Sequence, residues 1–170
     1  EAVDGYFLPD GYEDGIQGLN GLTVTKMTKN SFTISGTPIS DVNITLPPAT
    51  KKVYSMILSG NGTFTGTCVG YQPINAKEFT ITNSGNVDLE NVDISITGTD
   101  KDKFELSGDG TTTIQPNDTL KVAVAPKDSL ATGIYRATLT VTAANAQIAT
   151  TELQFTVNEH DYVAVVTPPN

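Results

Sequence analysis

Tyr135-Arg136-Ala137-Thr138-Leu139-Thr140-Val141-Thr142 alternates one set of side chains with another along its whole length. In a strand, successive side chains point to opposite faces. Tyr135, Ala137, Leu139 and Val141 therefore share one side, and Arg136 with three threonines takes the other. A helix would scatter the same residues around its circumference. The stretch predicts a β-strand with one face in a core and one in water. The same period runs through Val92-Asp93-Ile94-Ser95-Ile96-Thr97, Leu120-Lys121-Val122-Ala123-Val124 and Leu153-Gln154-Phe155-Thr156-Val157. Shorter strand candidates cover 79–82, 104–106 and 111–114.

Turn chemistry separates these runs: Asn83-Ser84-Gly85-Asn86, Gly108-Asp109-Gly110, Pro116-Asn117-Asp118, Thr132-Gly133 and Ala144-Asn145-Ala146. No stretch repeats apolar residues at helical spacing over three turns. Helix is expected only as single turns near 100–103 or 128–131. From about Tyr54 to Val157 the pattern gives seven or eight strands with regularly spaced turns, which is how a β-sandwich reads in sequence. The fold class is all-β.

Composition agrees. The 170 residues include 26 Thr against only 17% charged residues, and Thr, Val and Ile suit a pleated, half-buried surface. A net charge of −9, with nine Lys and the single Arg136 spread along the chain, argues against nucleic acid, which needs clustered cations. No apolar run is long enough for a helical membrane span. One cysteine, Cys68, excludes an internal disulfide, and the absence of Trp excludes the antibody-type framework. The chain opens on Glu1 without Met and is expected to be a mature or excised portion whose export signal lies elsewhere.

The first fifty residues read differently. Asp4-Gly5, Asp10-Gly11 and Asp14-Gly15 punctuate a loop-rich start, and three short strand patterns follow at 22–25, 32–35 and 42–46. Pro47-Pro48-Ala49-Thr50-Lys51-Lys52 suits a stiff connection. The expected organisation is a small β-rich N-terminal subdomain over 1–50, a sandwich over 51–158, and a linker or edge strand over 159–170. The subdomain buries too little to stand alone and is expected to pack end to end with the sandwich. Tyr162-Val163-Ala164-Val165-Val166 is the edge-strand candidate. The Pro-Pro pairs at 47–48 and 168–169 hint at a modular array.

The residues also resemble a known family. Lys77-Glu78-Phe79-Thr80-Ile81-Thr82-Asn83-Ser84-Gly85-Asn86, then 92–96, Gly98-Thr99-Asp100, Phe104-Glu105-Leu106-Ser107, Ile114-Gln115-Pro116, Pro126-Lys127 and Gly133 to Val141 follow in order. This run is similar to the Ig-like repeat modules of bacterial cell-surface proteins, within the wider class of MSP-like and ASH-like β-sandwiches. Gly21-Leu22-Thr23-Val24, Ile34-Ser35-Gly36-Thr37-Pro38 and Leu46-Pro47-Pro48-Ala49-Thr50 look like the closing half of an Ig-type repeat in the same kinds of proteins. The resemblance spans roughly 20 to 158 and rests on turn and core residues. It implies an Ig-like sandwich without a disulfide, acting as a stalk, spacer or adhesive unit, with no catalytic residues to carry over.

Candidate sites are few. His160 is the only histidine and would have to anchor any Ser-His-Asp or Cys-His arrangement without a Gly-x-Ser-x-Gly elbow. No catalytic residue is therefore expected. Asp10, Glu13 and Asp14 form the candidate calcium loop, although Asp-Gly pairs are also ordinary turn formers. Asp100 with Asp102 is a weaker cluster, compensated by Lys101 and Lys103. Calcium at the first loop is the one cofactor considered. Lys77 or Lys121 with Asn158 and Glu152 would suit an isopeptide crosslink only if they pointed inward, and the alternation points them out. Tyr6, Phe7, Tyr12 and Tyr71 are the aromatic binding candidates, with junction packing as their competing use.

The sequence thus predicts a non-catalytic extracellular spacer, at the cell surface or secreted, whose partners are neighbouring domains of the same polypeptide. The alternative is an adhesin-type module that recognises a host protein or glycan through an edge strand or end loops.

Overall fold

The computed structural model describes residues 4–8, 11–25, 28–108, 110 and 112–161, apart from the side chain of Glu13. Asp10 and the 162–166 run lie outside these residues. Among the described residues the chain is all β, with single 3-10 turns at Tyr12–Gly15 and Lys101–Lys103 and no α-helix. The second of these falls where a helical turn is expected; 128–131 is a turn without helix.

The chain divides into two compact units, Glu1–Val53 and Tyr54–Asn170. Unit 1 holds β1 (Tyr6–Phe7), β2 (Leu22–Thr25), β3 (Thr33–Gly36) and β4 (Thr50–Lys51), paired antiparallel as β1 with β4 and β2 with β3. Thr50 and Lys51 are therefore sheet residues, and Lys52 N–H donates to Gly5 C=O at 2.8 Å just beyond them. Leu8, Tyr12 and Ile16 form a small core, flanked by Leu19, Val24, Phe32 and Ile44. The expected strand at 42–46 is reduced to one bridge between Thr45 and Gln17, with Val42 39% and Leu46 49% exposed. Of its alternating apolar residues only Ile44 reaches the small core, and Pro47-Pro48 supplies no N–H to extend the ladder.

Unit 2 holds β5 (Met56–Ser59), β6 (Thr67–Cys68), β7 (Lys77–Asn83), β8 (Leu89–Glu90), β9 (Asp93–Thr97), β10 (Phe104–Gly108), β11 (Thr113–Ile114), β12 (Thr119–Pro126), β13 (Gly133–Thr142) and β14 (Ala149–Asn158). One four-stranded sheet runs β10-β12-β7-β5 and the other β6-β14-β13-β9; β8 and β11 make a small ribbon. All pairings are antiparallel except β6 with β14, which is parallel.

The alternating runs bury the residues their period selects. Phe79 and Ile81 from β7, Val122 and Val124 from β12, Leu139 and Val141 from β13, and Leu153, Phe155 and Val157 from β14 fill one core between the sheets. Burying each such side chain stabilises the fold by about 1.5–3 kcal/mol before chain entropy is counted. Outer-face threonines such as Thr80, Thr82, Thr138 and Thr140 are half-buried, because neighbouring strands cover their methyl groups.

The entry to the second sheet is not marked by any strand pattern. Gly60, Gly62, Gly66 and Gly70 interrupt the segment, yet it runs beside β14 from residue 62 onward. Phe64 N–H donates to Gln154 C=O at 2.8 Å, and Gln154 N–H donates to Gly62 C=O at 2.9 Å. A Cβ on Gly62 would collide with the Glu152 carbonyl oxygen, so only glycine permits this approach.

Candidate functional site

The described chemistry-bearing residues lie apart from one another. Among the described residues no three His, Cys, Asp or Glu side chains gather to hold a metal. Asp14 is exposed, and its backbone N–H closes a turn to Gly11 C=O at 3.1 Å. The other two members of the candidate calcium loop, Asp10 and the Glu13 side chain, lie outside the described residues. Asp100 uses its carboxylate locally, accepting the Arg136 N–H at 2.8 Å. His160 is exposed, with Nε2 2.9 Å from the Val69 carbonyl oxygen, to which it donates. Cys68 sits half-buried in β6.

The crosslink candidates are placed apart from such chemistry. Lys121 pairs with Glu78 at 2.8 Å on the exposed face of β12 and β7, an arrangement worth little in stability. Lys77 leans over the edge of the sheet instead of standing free. Its Nζ donates to Thr63 C=O and lies 5.3 Å from the Phe64 ring centroid. Glu152 and Asn158 are exposed.

The four aromatic candidates separate into surface and core. Tyr6 is 37% exposed on β1. Phe7 is half-buried, with Lys29 Nζ 5.8 Å from its ring centroid. Tyr12 is a core side chain: it is 6% exposed, packs on Phe32 at 5.5 Å, and donates its hydroxyl to Ser31 C=O. Tyr71 is structural too. Its ring meets Phe155 edge-on at 5.5 Å. Its hydroxyl donates to Lys127 C=O at 2.6 Å and accepts the Leu130 N–H at 3.3 Å. That hydroxyl fastens the β12–β13 connection to the start of unit 2. Removing it in Tyr71→Phe is expected to lower stability by about 1–2 kcal/mol, read as a shift of the urea midpoint at constant m-value.

Three features carry no signal in single-residue pattern. The first is Asn83, the one polar residue among the fully buried ones of the described residues. Its Nδ2 donates to Val87 C=O and Ile114 C=O, both at 2.8 Å, while Oδ1 accepts the Gly85 N–H at 2.9 Å. The second is Tyr135, whose hydroxyl reaches back to Ala131 C=O at 2.7 Å. The third is a cleft of ≈ 340 Å³ between β9 and β10, with Val92, Ile94, Leu106 and Val122 as its apolar wall and Asp93, Ser107 and Thr112 at its rim. Both bordering strands are sheet edges, each paired on one side only. Among its described lining residues the cleft pairs an apolar wall with a few polar groups, an arrangement suited to holding an extended ligand.

No family model matches the chain, and no curated protein matches it either. Among solved structures, a family 123 glycoside hydrolase from Clostridium perfringens, described for glycolipid glycan hydrolysis, aligns with a TM-score of 0.49 at 12% identity over 62% of this chain and 27% of that one. The E. coli chaperone DraB aligns with a TM-score of 0.41 at 9% identity over 62% of this chain and 55% of that one. The chain thus spans about a quarter of the first protein and about half of the second. Likenesses at this level carry no argument about function.

Proposed function

We propose that this chain is a non-catalytic, extracellular Ig-like spacer of a bacterial surface protein. The observation that carries the reading is the strand order. Sheet β5-β7-β12-β10 facing β9-β13-β14 matches the A-B-E-D and C-F-G order of an immunoglobulin sandwich, with β6 added beside the last strand. Tyr135 supports it further. Its hydroxyl bonds four residues upstream at the start of the sixth long strand position, as a tyrosine corner does, and Ala137 stands two residues on, where antibody domains place a cysteine. A sandwich of this kind holds neighbouring domains at a fixed spacing, and the −9 charge keeps adjacent copies apart.

The second reading, an adhesin-type module, draws on the β9–β10 cleft, where an extended segment could add to a free edge over an apolar floor. Binding measurements on glycan arrays and immobilised host-matrix proteins separate the two. The spacer reading expects no saturable, competable signal. A saturable signal abolished by filling the cleft, for instance with Ser107→Trp, would establish the adhesin reading in its place.

A further inference from the structure

We propose that Asn20 is a site of spontaneous modification: its side-chain amide is lost through attack by the Gly21 nitrogen, and the product releases the 37–41 loop that Asn20 now holds. The chain has two Asn-Gly pairs, Asn20-Gly21 and Asn61-Gly62. A glycine after asparagine puts no side chain in the way of the attacking nitrogen and lets the backbone turn into line. By sequence the two pairs are alike. The fold separates them.

Asn20 and Gly21 are both exposed, with φ of 43° and 90°, in a turn closed by Leu22 N–H on Leu19 C=O at 2.9 Å. Among the described residues no acceptor takes the Gly21 N–H. Water and hydroxide therefore reach both reacting groups. Asn61 is exposed as well, but Gly62 is buried beside β14. The Gly62 C=O accepts the Gln154 N–H at 2.9 Å, and the Thr63 N–H holds Asn61 Oδ1 at 2.9 Å. Bringing the Gly62 nitrogen onto Asn61 Cγ would break both bonds, so reaction there waits on local opening.

The chemistry at Asn20 needs only water and hydroxide. Hydroxide takes the Gly21 N–H proton, and the nitrogen attacks Asn20 Cγ. The Cγ–Nδ2 bond breaks, and ammonia leaves with a proton from water, which restores hydroxide. Water then opens the five-membered imide. Cleavage at Cγ gives aspartate; cleavage at the main-chain carbonyl gives isoaspartate, with one more methylene in the backbone. Either product exchanges the Nδ2 donor for a carboxylate, which only accepts. In the parent chain Nδ2 donates to Asp41 C=O, and Asn20 C=O accepts the Ile39 N–H at 2.9 Å. The carboxylate instead faces the Asp41 carbonyl oxygen and repels it, and isoaspartate also lengthens the turn. The loop loses its fastening.

The test is ageing of the whole protein in mildly alkaline buffer, folded and in urea, followed by mass spectrometry of tryptic peptides 1–26 and 53–77. In the folded chain Asn20 is expected to convert several-fold faster than Asn61, and in urea the two rates should converge. Equal folded rates, or a faster Asn61, overturn the proposal. A ratio unchanged by urea assigns the selectivity to local sequence and overturns it too. Release of the loop is read by hydrogen exchange at the Ile39 N–H, expected to be several-fold faster in Asn20→Asp than in the parent; unchanged exchange overturns the release. Should Asn20→Asp not fold, the aged parent chain, enriched in its modified form by ion exchange, supplies the same reading. Neither measurement depends on the spacer reading, so a saturable glycan or protein signal would remove that reading and leave this one standing.

Discussion

Asn83→Leu is expected to destabilise unit 2 by about 3–5 kcal/mol, because a buried donor or acceptor left without a partner costs about 1–3 kcal/mol. Leucine keeps the branched shape but is bulkier, and it abandons the Val87 and Ile114 carbonyls and the Gly85 N–H, all of which the Asn83 side chain now satisfies. Total stabilities are only about 5–15 kcal/mol, so urea unfolding followed by far-UV circular dichroism will show a large loss. Asn83→Asp adds a pH signature. A carboxylate facing two carbonyl oxygens is repelled, so its folded-state pKa must rise above the unfolded value near 3.9. Between those two values the folded state binds more protons, and stability falls as pH rises. The aspartate variant is therefore expected to be closest to the parent at acid pH and to weaken toward neutrality. A flat difference between the two proteins across that range would show that the carboxylate has found water.

Phe155→Ala is the second large effect, expected at about 3–5 kcal/mol for loss of a fully buried phenylalanine. The ring is 0% exposed and anchors a cluster, with Phe64 edge-on at 6.4 Å and Tyr71 edge-on at 5.5 Å. It joins the segment at 62–69, the last strand and the loop fastened by Tyr71. A domain of this size loses roughly 12–20 °C in melting temperature for such a change. Phe155→Leu keeps most of the volume and is expected to cost clearly less. Calorimetry on the three proteins reads this directly, and an equal loss for leucine and alanine would mean that ring geometry, more than filled volume, holds the site.

The all-β class and the long strands were legible because they obey one rule. In β12, β13 and β14 a single face is buried, so period-two alternation selects Val122, Leu139 and Phe155 without knowledge of any partner strand. The same rule misleads at 42–46, where alternation exists but, among the described residues, only Gln17 pairs with the segment. Residues 62–69 fail in the opposite sense. Their pairing is made by backbone groups and glycine clearance, neither of which leaves a hydrophobic pattern. Asn83 reads as a turn residue because asparagine favours turns; its burial depends on Val87 and Ile114, which only the folded chain brings to it. Tyr71 and Tyr12 look like surface aromatics for a similar reason, since a tyrosine ring packs while its hydroxyl finds a carbonyl. The β9–β10 cleft was not legible at all. Its walls come from Val92, Leu106 and Val122, and their proximity follows from how the two sheets stack.

The position of β14 has a consequence for how the protein is made. It is the last of the described strands, yet it lies inside its sheet, between β6 and β13, and supplies Leu153, Phe155 and Val157 to the core. Until residue 158 has emerged from the ribosome, β6 lacks this partner and β13 has one open edge. A growing chain therefore gains little from partial order, and unit 2 completes in one late event once its final strand arrives. Unit 2 therefore closes its core only when β14 is in place.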